Sequence, residues 1–528
     1  MTFRYDKDKE EFIITEATKI EYNQISLWLT RFVQGYKYTP QYKMGIWNGK
    51  ESYFRDGKIN LGLWHELQLA CNTLDVPFKI ENKEDVPLNR DITQEQVIDF
   101  CKEYFDKHQI YDKKNKTWSD FMPYSHQVVL AYKIMKARYC LAECATSGGK
   151  TLIISIIIFY TLKHINPDAK FLIIVPSITL VTQFSENIRE YCYGQQNLDK
   201  LDTIDKTPFC DIRIEEIMSD KPQKSENPNI YIGTYQSLGE YDRDFFKQFH
   251  TVITDEAHKS KASTIKKILK RTFRYAYCRF GVSGTFPADD SYEILTVESV
   301  LGPKIATVTA NELKNKGIIT PVQIKALILN HNDSAFQDKL KSIRNATDGK
   351  DVYDLEKQYI HASKKRTEYI KKIVSHCDNN TLLLFHTIEY GLSLYQELVK
   401  SFPDKLFYYI DGEVCGKDRE AIKAEMEKTG DGKNRILVAT FGTLSTGVSI
   451  NALFNVIFAD SFKSEQVIIQ SIGRILRLHA DKDIANVYDL VDVFSPVNMS
   501  NILFRQYIER TKFYRKRQYP YKEYKINL

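Results

Sequence analysis

Apolar and polar positions change their rhythm twice along the chain. From Phe3 to Ile20 they alternate loosely, the period-two signature of strands. Gly35 to Gly49 is rich in glycine and aromatics, as a hairpin or loop would be. Ile59 to Thr73 switches to helical spacing, with Leu61, Leu63, Trp64, Leu67, Leu69 and Ala70 recurring along it. A charged stretch, Glu81 to Lys116, predicts a boundary, with Asp112 to Lys116 as the end of a linker.

From about Trp118 short apolar runs recur between helical patterns. Phe171–Val175, Ile230–Ile232 and Thr251–Thr254 form one series. Thr381–Phe385, Arg435–Ala439 and Asn455–Ala459 form a second. Near-continuous apolar strands suit parallel sheets covered on both faces. Their alternation with helices makes the fold class α/β. The expected organisation is a small α+β N-terminal domain over 1–115, lobes over 116–315 and 316–500, and a basic aromatic tail over 501–528.

At 528 residues, with 43% hydrophobic and 27% charged residues, the chain has ample material for several cores. Whole-chain disorder and collagen-like repeats are excluded. The nine cysteines are scattered with no Cys-x-x-Cys pair, so neither a disulfide framework nor a zinc site is expected. That usage points to a reducing, cytoplasmic compartment. Met1 to Asp6 runs straight into charge without a leader pattern, and the apolar run Leu152–Leu162 is too short to span a bilayer. No membrane partner is expected.

Ala145-Thr146-Ser147-Gly148-Gly149-Lys150-Thr151 precedes that apolar run. A glycine turn opening a helix presents backbone N–H groups to phosphate oxygens. Lys150 is placed to reach the β- and γ-phosphates, and the Thr151 hydroxyl to bind Mg²⁺. The general pattern asks for glycine where Cys144 stands. The run Thr251–Thr254 ends in Asp255-Glu256-Ala257-His258. A carboxylate at the C-terminal end of a strand is where open α/β sheets place ligand chemistry. Asp255 is a candidate Mg²⁺ ligand through its water shell, and Glu256 a candidate base for the attacking water. A bland alternative is an acidic helix N-terminus. In Gln470-Ser471-Ile472-Gly473-Arg474-Ile475-Leu476-Arg477 the two arginines are three apart, so on a helix they share a face. Paired guanidiniums suit the charge on a transferring phosphoryl group.

This order of motifs, with Ser283-Gly284-Thr285 between them, resembles a superfamily 2 helicase or translocase of the DEAH-box type. The resemblance implies two tandem RecA-like lobes using ATP and Mg²⁺. It implies a phosphate loop of Thr146, Ser147, Gly148, Gly149, Lys150 and Thr151, with Gln127 reading adenine. It implies that Gln470, Arg474 and Arg477 complete the site from the second lobe, that Ser283 and Thr285 relay its state, and that His258 bridges the Asp-Glu pair and Gln470. Pro176, Ser177 and Thr234 resemble the strand-contacting motifs of the first lobe, and His386, Thr440, Thr446 and Gly447 those of the second. Ser449 departs from the family, where many members carry Asp. The Gly-Arg-Ile-Leu-Arg ending is similar to the XPB and restriction-translocase branch. Tyr38–Lys50, Tyr408–Val414 and Ser445–Ser449 resemble phage recombination helicases. That implies a monomeric DNA helicase working with recombination proteins on junctions, displacement loops, R-loops and stalled forks in the host cytoplasm. A duplex translocase of a restriction system, a strand-annealing DNA-binding protein and an RNA helicase remain alternatives.

Charge refines this picture. The net charge is +6, yet Arg505 to Leu528 alone holds eight Lys/Arg against two Glu, interleaved with tyrosines. Such clustering suits DNA phosphates, or else a helix packing its tyrosines on the second lobe. Gly35 to Lys50 has lysines, no acids and several aromatics, and reads either as a base-stacking surface or as a small core. Ser363-Lys364-Lys365-Arg366 reads as a helix start with exposed charge, and His386 and His479 as structural or strand-facing groups.

Overall fold

The computed structural model describes residues 1–87, 90–112, 117–206, 208–218, 221–223, 226–261, 263–344, 349–444, 450–479, 482–494 and 501–528. Two compact units divide the chain: Met1–Ala145 with Gly149–Val308, and Thr146–Gly148 with Thr309–Leu528.

The first unit contains a small mixed sheet and a large one. The small sheet runs Lys58–Asn60, Glu11–Glu16, Thr2–Asp6, Lys79–Ile80. The helices Lys19–Trp28 and Trp64–Thr73 belong to the same N-terminal layer, and Phe3, Phe12, Ile25, Leu29, Leu63 and Leu67 fill its core. The alternation from Phe3 thus forms two strands, but from Lys19 the chain is helical.

The large sheet runs Lys221–Gln223, Ile214–Met218, Ile230–Thr234, Phe171–Val175, Thr251–Asp255, Cys278–Ser283, Tyr139–Cys144, Lys304–Val308. Among the described residues of this sheet, only the Lys221–Gln223 edge is antiparallel to its neighbour. Because the rest are parallel, their C-terminal ends share one edge. Cys144 is the last, fully buried residue of its strand, paired with Val308. That strand occupies the place where the general phosphate-loop pattern has its first glycine.

The helix Gln94–Phe105 alters the expected boundary at 115. Its Val97, Phe100, Cys101, Tyr104 and Phe105 are buried in the same core as the large sheet. Its charged outer face made it look like linker. Of the expected linker end, residues 113–116 lie outside the described residues.

The second unit is a wholly parallel sheet: Leu406–Ile410, Arg435–Thr440, Thr381–Phe385, Asn455–Phe458, Ala485–Val493, Val322–Asn330, Tyr521–Asn527. The last strand corrects the expected tail over 501–528, since these residues build the lobe. The helix Ile502–Lys516 buries Tyr507 and Tyr514, and Arg510 grips Asp489 bidentately at 2.8 and 3.0 Å. Arg505, Lys512, Arg515 and Lys516 are exposed on this helix, and Lys522 and Lys525 are exposed on the last strand. Among the described residues no helix is long and apolar enough to cross a membrane.

Candidate active site

Three adjacent parallel strands deliver the predicted chemistry of the first unit to one edge. Tyr139–Cys144 leads into the phosphate loop, Thr251–Asp255 ends at the acidic pair, and Cys278–Ser283, between them, ends at Ser283. The loop turns through left-handed backbone at Ser147 (φ 69°) and Gly149 (φ 81°) before the helix Lys150–His164 begins. The turn at Gly149 favours glycine. Its φ is positive, and an added Cβ would lie 2.1 Å from Gln127 Nε2. Leu152 to Leu162 is buried on every side, so the helix is anchored through its whole girth. Gln127 Oε1 accepts the Tyr124 N–H at 2.8 Å. The side chain predicted to read adenine therefore sits against the loop, held by its own helix cap.

The acidic corner is a compact polar cluster. Glu256 is left-handed (φ 49°), a strained conformation for a non-glycine residue. Its Oε1 lies 3.7 Å from Lys150 Nζ, and its Oε2 lies 3.3 Å from His258 Nδ1. Ser283 Oγ is 2.8 Å from His258 Nδ1, 3.2 Å from Glu256 Oε2 and 2.7 Å from the Thr285 carbonyl oxygen. The hydroxyl has one proton to give, so it serves either Glu256 or Thr285. That either-or contact is a physical basis for the predicted relay through Ser283 and Thr285.

Asp255 Oδ1 is buried and has no hydrogen-bond partner among the described residues. An orphaned carboxylate oxygen beside a phosphate loop fits a hydrated divalent cation. Burial, and then the neighbouring Glu256, push the Asp255 carboxyl upward. Burial acts on Glu256 in the same direction, but Lys150 and then His258 outweigh it and hold that carboxyl below its ordinary range. Lys150 and His258 thus keep Glu256 ionised, and a divalent cation would do the same for Asp255.

One residue of this corner escaped sequence reading. A Cβ on Gly281 would lie 2.4 Å from the Ala257 Cβ, so this glycine lets the Asp-Glu-Ala-His turn lie on the sheet. The available signal was a glycine inside a strand pattern.

The remaining predicted residues are placed as follows. Pro176 and Ser177 follow the strand Phe171–Val175, half-buried, with Ser177 at the N-cap position of the helix Ile178–Tyr193. Thr234 Oγ1 is committed to a cap, accepting the Ser237 N–H at 3.2 Å. In the second unit Arg474 lies in the helix Glu465–Ile475, whereas Arg477 lies beyond its end, bonded to Asn451 Oδ1 at 2.8 Å. The expectation that both share a helical face fails because the helix stops at Ile475. Gln470 belongs to that helix, but its side chain lies outside the described residues, so its link to His258 does too. Thr446, Gly447 and Ser449 lie outside them as well. His386 is exposed after Phe385, its backbone N–H donating to Asp460 Oδ2 at 2.9 Å, and Thr440 closes its strand.

Behind His386 lies a buried network that the sequence did not reveal. Asp460 Oδ1 meets His361 Nε2 at 2.8 Å, and His361 stacks on Tyr390 at 4.0 Å. Arg366 donates to the Tyr390 hydroxyl at 2.8 Å and to both oxygens of Asp492 at 2.9 and 3.0 Å. Ser363 does cap a helix, as expected, but Arg366 is fully buried instead of exposed.

Residues 93–288 match the res subunit of type III restriction enzymes, and residues 365–479 match the conserved C-terminal domain of helicases. Together with the two parallel sheets and the acidic corner, these matches place a helicase domain in each unit, the domain set of superfamily 2 helicases. The chain is 28% identical over 470 residues to the ATP-dependent DNA helicase uvsW of Enterobacteria phage T4, covering 87% of this chain and 84% of that one. The crystal structure of T4 UvsW matches with TM-score 0.46 at 22% identity, over 100% of this chain and 99% of that one. The DNA-bound type ISP restriction-modification enzyme LlaBIII gives TM-score 0.54 at 14% identity, over 79% of this chain and 32% of that one. That likeness is one of fold.

Proposed function

We propose that the chain is an ATP-driven DNA helicase that unwinds or branch-migrates junctions, displacement loops, R-loops and stalled forks in phage recombination, repair and replication. The observation that carries the catalytic part is the Lys150–Glu256–His258–Ser283 cluster on one sheet edge. The relation to T4 uvsW supports DNA as the track.

Thr146 to Gly149 offer backbone N–H groups to the phosphates, Lys150 adds its charge, and Gln127 selects the base. Thr151 and Asp255 would hold Mg²⁺, and the cation would supply charge neutralisation for the phosphate oxygens. Glu256 takes a proton from the attacking water as the new oxygen–phosphorus bond forms and the bond to the β-phosphate breaks. Lys150 and His258 keep Glu256 ionised, so it enters the step able to accept a proton, although the same cations weaken it as a base. Gln470, Arg474 and Arg477 supply the second lobe's share, making closure sensitive to the γ-phosphate. Pro176, Ser177, Thr234, His386, Thr440, Thr446 and Gly447 track the strand through its backbone, largely without reading sequence.

The experiment is ATP hydrolysis by the purified protein, alone and with single-stranded DNA, duplex, a four-way junction and single-stranded RNA. Lys150→Ala serves as the blank. Strongest stimulation by the junction supports the reading. Stimulation by plain duplex alone would favour a restriction-type translocase, the reading suggested by the res-subunit match over residues 93–288.

A further inference from the structure

A finger projects from the N-terminal layer and is not accounted for by the motor. The strands Thr30–Phe32 and Lys50–Ser52 pair antiparallel, and residues 33–49 form the tip between them. The tip has its own packing. Phe32 stacks on Tyr36 at 4.7 Å, and Tyr36 meets Tyr42 edge-on at 4.8 Å. Gly49 makes room for Tyr36, since a Cβ there would lie 2.2 Å from the ring. With those rings engaged, Tyr38, Met44 and Ile46 are left outside, 82%, 64% and 73% exposed. Lys37, Lys43 and Lys50 are exposed around them, and the stretch from Val33 to Lys50 contains no acid.

The base of the finger is fixed to the large sheet's layer. Arg31 Nε donates to the Asp290 carbonyl at 3.0 Å, the Tyr292 hydroxyl donates to Glu51 at 3.1 Å, and Tyr53 bonds to Thr296. A load on the tip therefore reaches the helix Tyr292–Leu301 directly.

We propose that this finger engages exposed base faces at a DNA branch, with Tyr38, Met44 and Ile46 stacking on unpaired or terminal bases while Lys37 and Lys43 hold the flanking phosphates. The inference rests on the nucleic-acid reading above and deepens it. Three bulky apolar side chains held in water at a rigid tip call for an apolar occupant. Intact duplex shows only base edges in its grooves, whereas branch points and ends open the faces of bases. The lysine set without a single acid selects a polyanion.

The test uses the full-length protein and a four-way junction carrying 2-aminopurine beside the branch, with the same probe inside a plain duplex as reference. The wild type is expected to change the branch-probe emission and leave the duplex probe nearly unaltered. The variant Tyr38→Ser/Met44→Ser/Ile46→Ser should lose that change and bind the junction about tenfold more weakly. Its ATP hydrolysis with single-stranded DNA should stay within about twofold of wild type, which shows an intact fold and motor. Lys37→Ala/Lys43→Ala should weaken junction and duplex binding alike and flatten the slope of log affinity against log salt by about 2.

A triple variant retaining the branch signal and junction affinity overturns the proposal. So does one that loses only a wild-type self-association seen by sedimentation, since the occupant would then be a second copy of the chain. A wild type whose ATP hydrolysis no nucleic acid stimulates overturns the helicase reading and this inference with it. Intact wild-type stimulation beside an unaffected variant overturns this inference alone.

Discussion

Lys150 Nζ and Glu256 Oε1 stand 3.7 Å apart, so the cation assigned to phosphate lies beside the carboxylate assigned to water. The pair has opposite duties in the two halves of the reaction, and single substitutions separate them. Lys150→Ala should abolish ATP turnover by weakening phosphate binding. Glu256→Gln should bind nucleotide with near wild-type affinity and hydrolyse it at least about a hundredfold more slowly. Nucleotide binding by fluorescence and turnover by phosphate release distinguish the two; normal turnover by Glu256→Gln removes the base assignment.

Ser283 bonds to Glu256 and His258, which makes it a positioning residue acting through them. Ser283→Ala should lower kcat about tenfold while KM for ATP stays near its wild-type value. Ser283→Thr keeps the hydroxyl and should recover part of the loss. A variant whose KM rises instead would point to a binding role.

Arg477 stands just beyond the helix Glu465–Ile475 and is oriented by Asn451. Arg477→Ala should retain nucleotide binding and lose most DNA-stimulated hydrolysis, as removal of a charge acting in the transition state does. Asn451→Ala should show a milder form of the same defect. Stimulation surviving Arg477→Ala would pass the role to Arg474.

The motifs were legible because each is a local backbone device: a glycine turn opening a helix, or a carboxylate closing an apolar run. Phe171–Val175, Thr251–Asp255 and Thr381–Phe385 announced themselves by near-continuous apolarity. Amphipathic elements with charged outer faces hid their roles, which is why Gln94–Phe105 read as linker and Ile502–Lys516 as a tail. Buried ion pairs were invisible for another reason. Arg366 and Asp492 are 126 residues apart, and no local pattern reports a contact of that range.

Asp492 gives the second lobe a pH signature. Burial would raise its carboxyl, but Arg366 and then His331 hold it at about 2, against an ordinary 3.8. A carboxyl with depressed proton affinity stabilises the fold above its unfolded value and loses that contribution as pH falls through its folded value. The second lobe should therefore weaken between about pH 4 and pH 2. Asp492→Asn should lower stability near neutral pH by about 3–5 kcal/mol, because Arg366 would remain buried without its charge partner. Its acid transition should be shallower than that of wild type. Denaturant midpoints measured across pH check both, and an unchanged acid limb would exclude Asp492 as its source.

Glu10 and Arg279 form the equivalent pair in the first unit, joining the small sheet to the strand that ends at Ser283. Glu10 is 3% exposed and accepts from Arg279 Nη1 and Nη2 at 3.3 and 2.5 Å, and from the Arg274 N–H at 2.6 Å. The guanidinium also lies 4.3 Å from the Phe273 ring centroid. Glu10→Ala leaves a buried cation without its carboxylate and should destabilise the unit by about 3–5 kcal/mol. Replacing both partners, as Glu10→Gln with Arg279→Met, removes the charge and keeps the volume, and should recover much of that loss. The comparison separates the cost of an unpaired charge from the cost of lost packing. If the double variant is as unstable as Glu10→Ala, the pair acts through geometry, by aligning the small sheet on Cys278–Ser283. In that case DNA-stimulated hydrolysis should fall with it, because the same strand carries the Ser283 hydroxyl to Glu256.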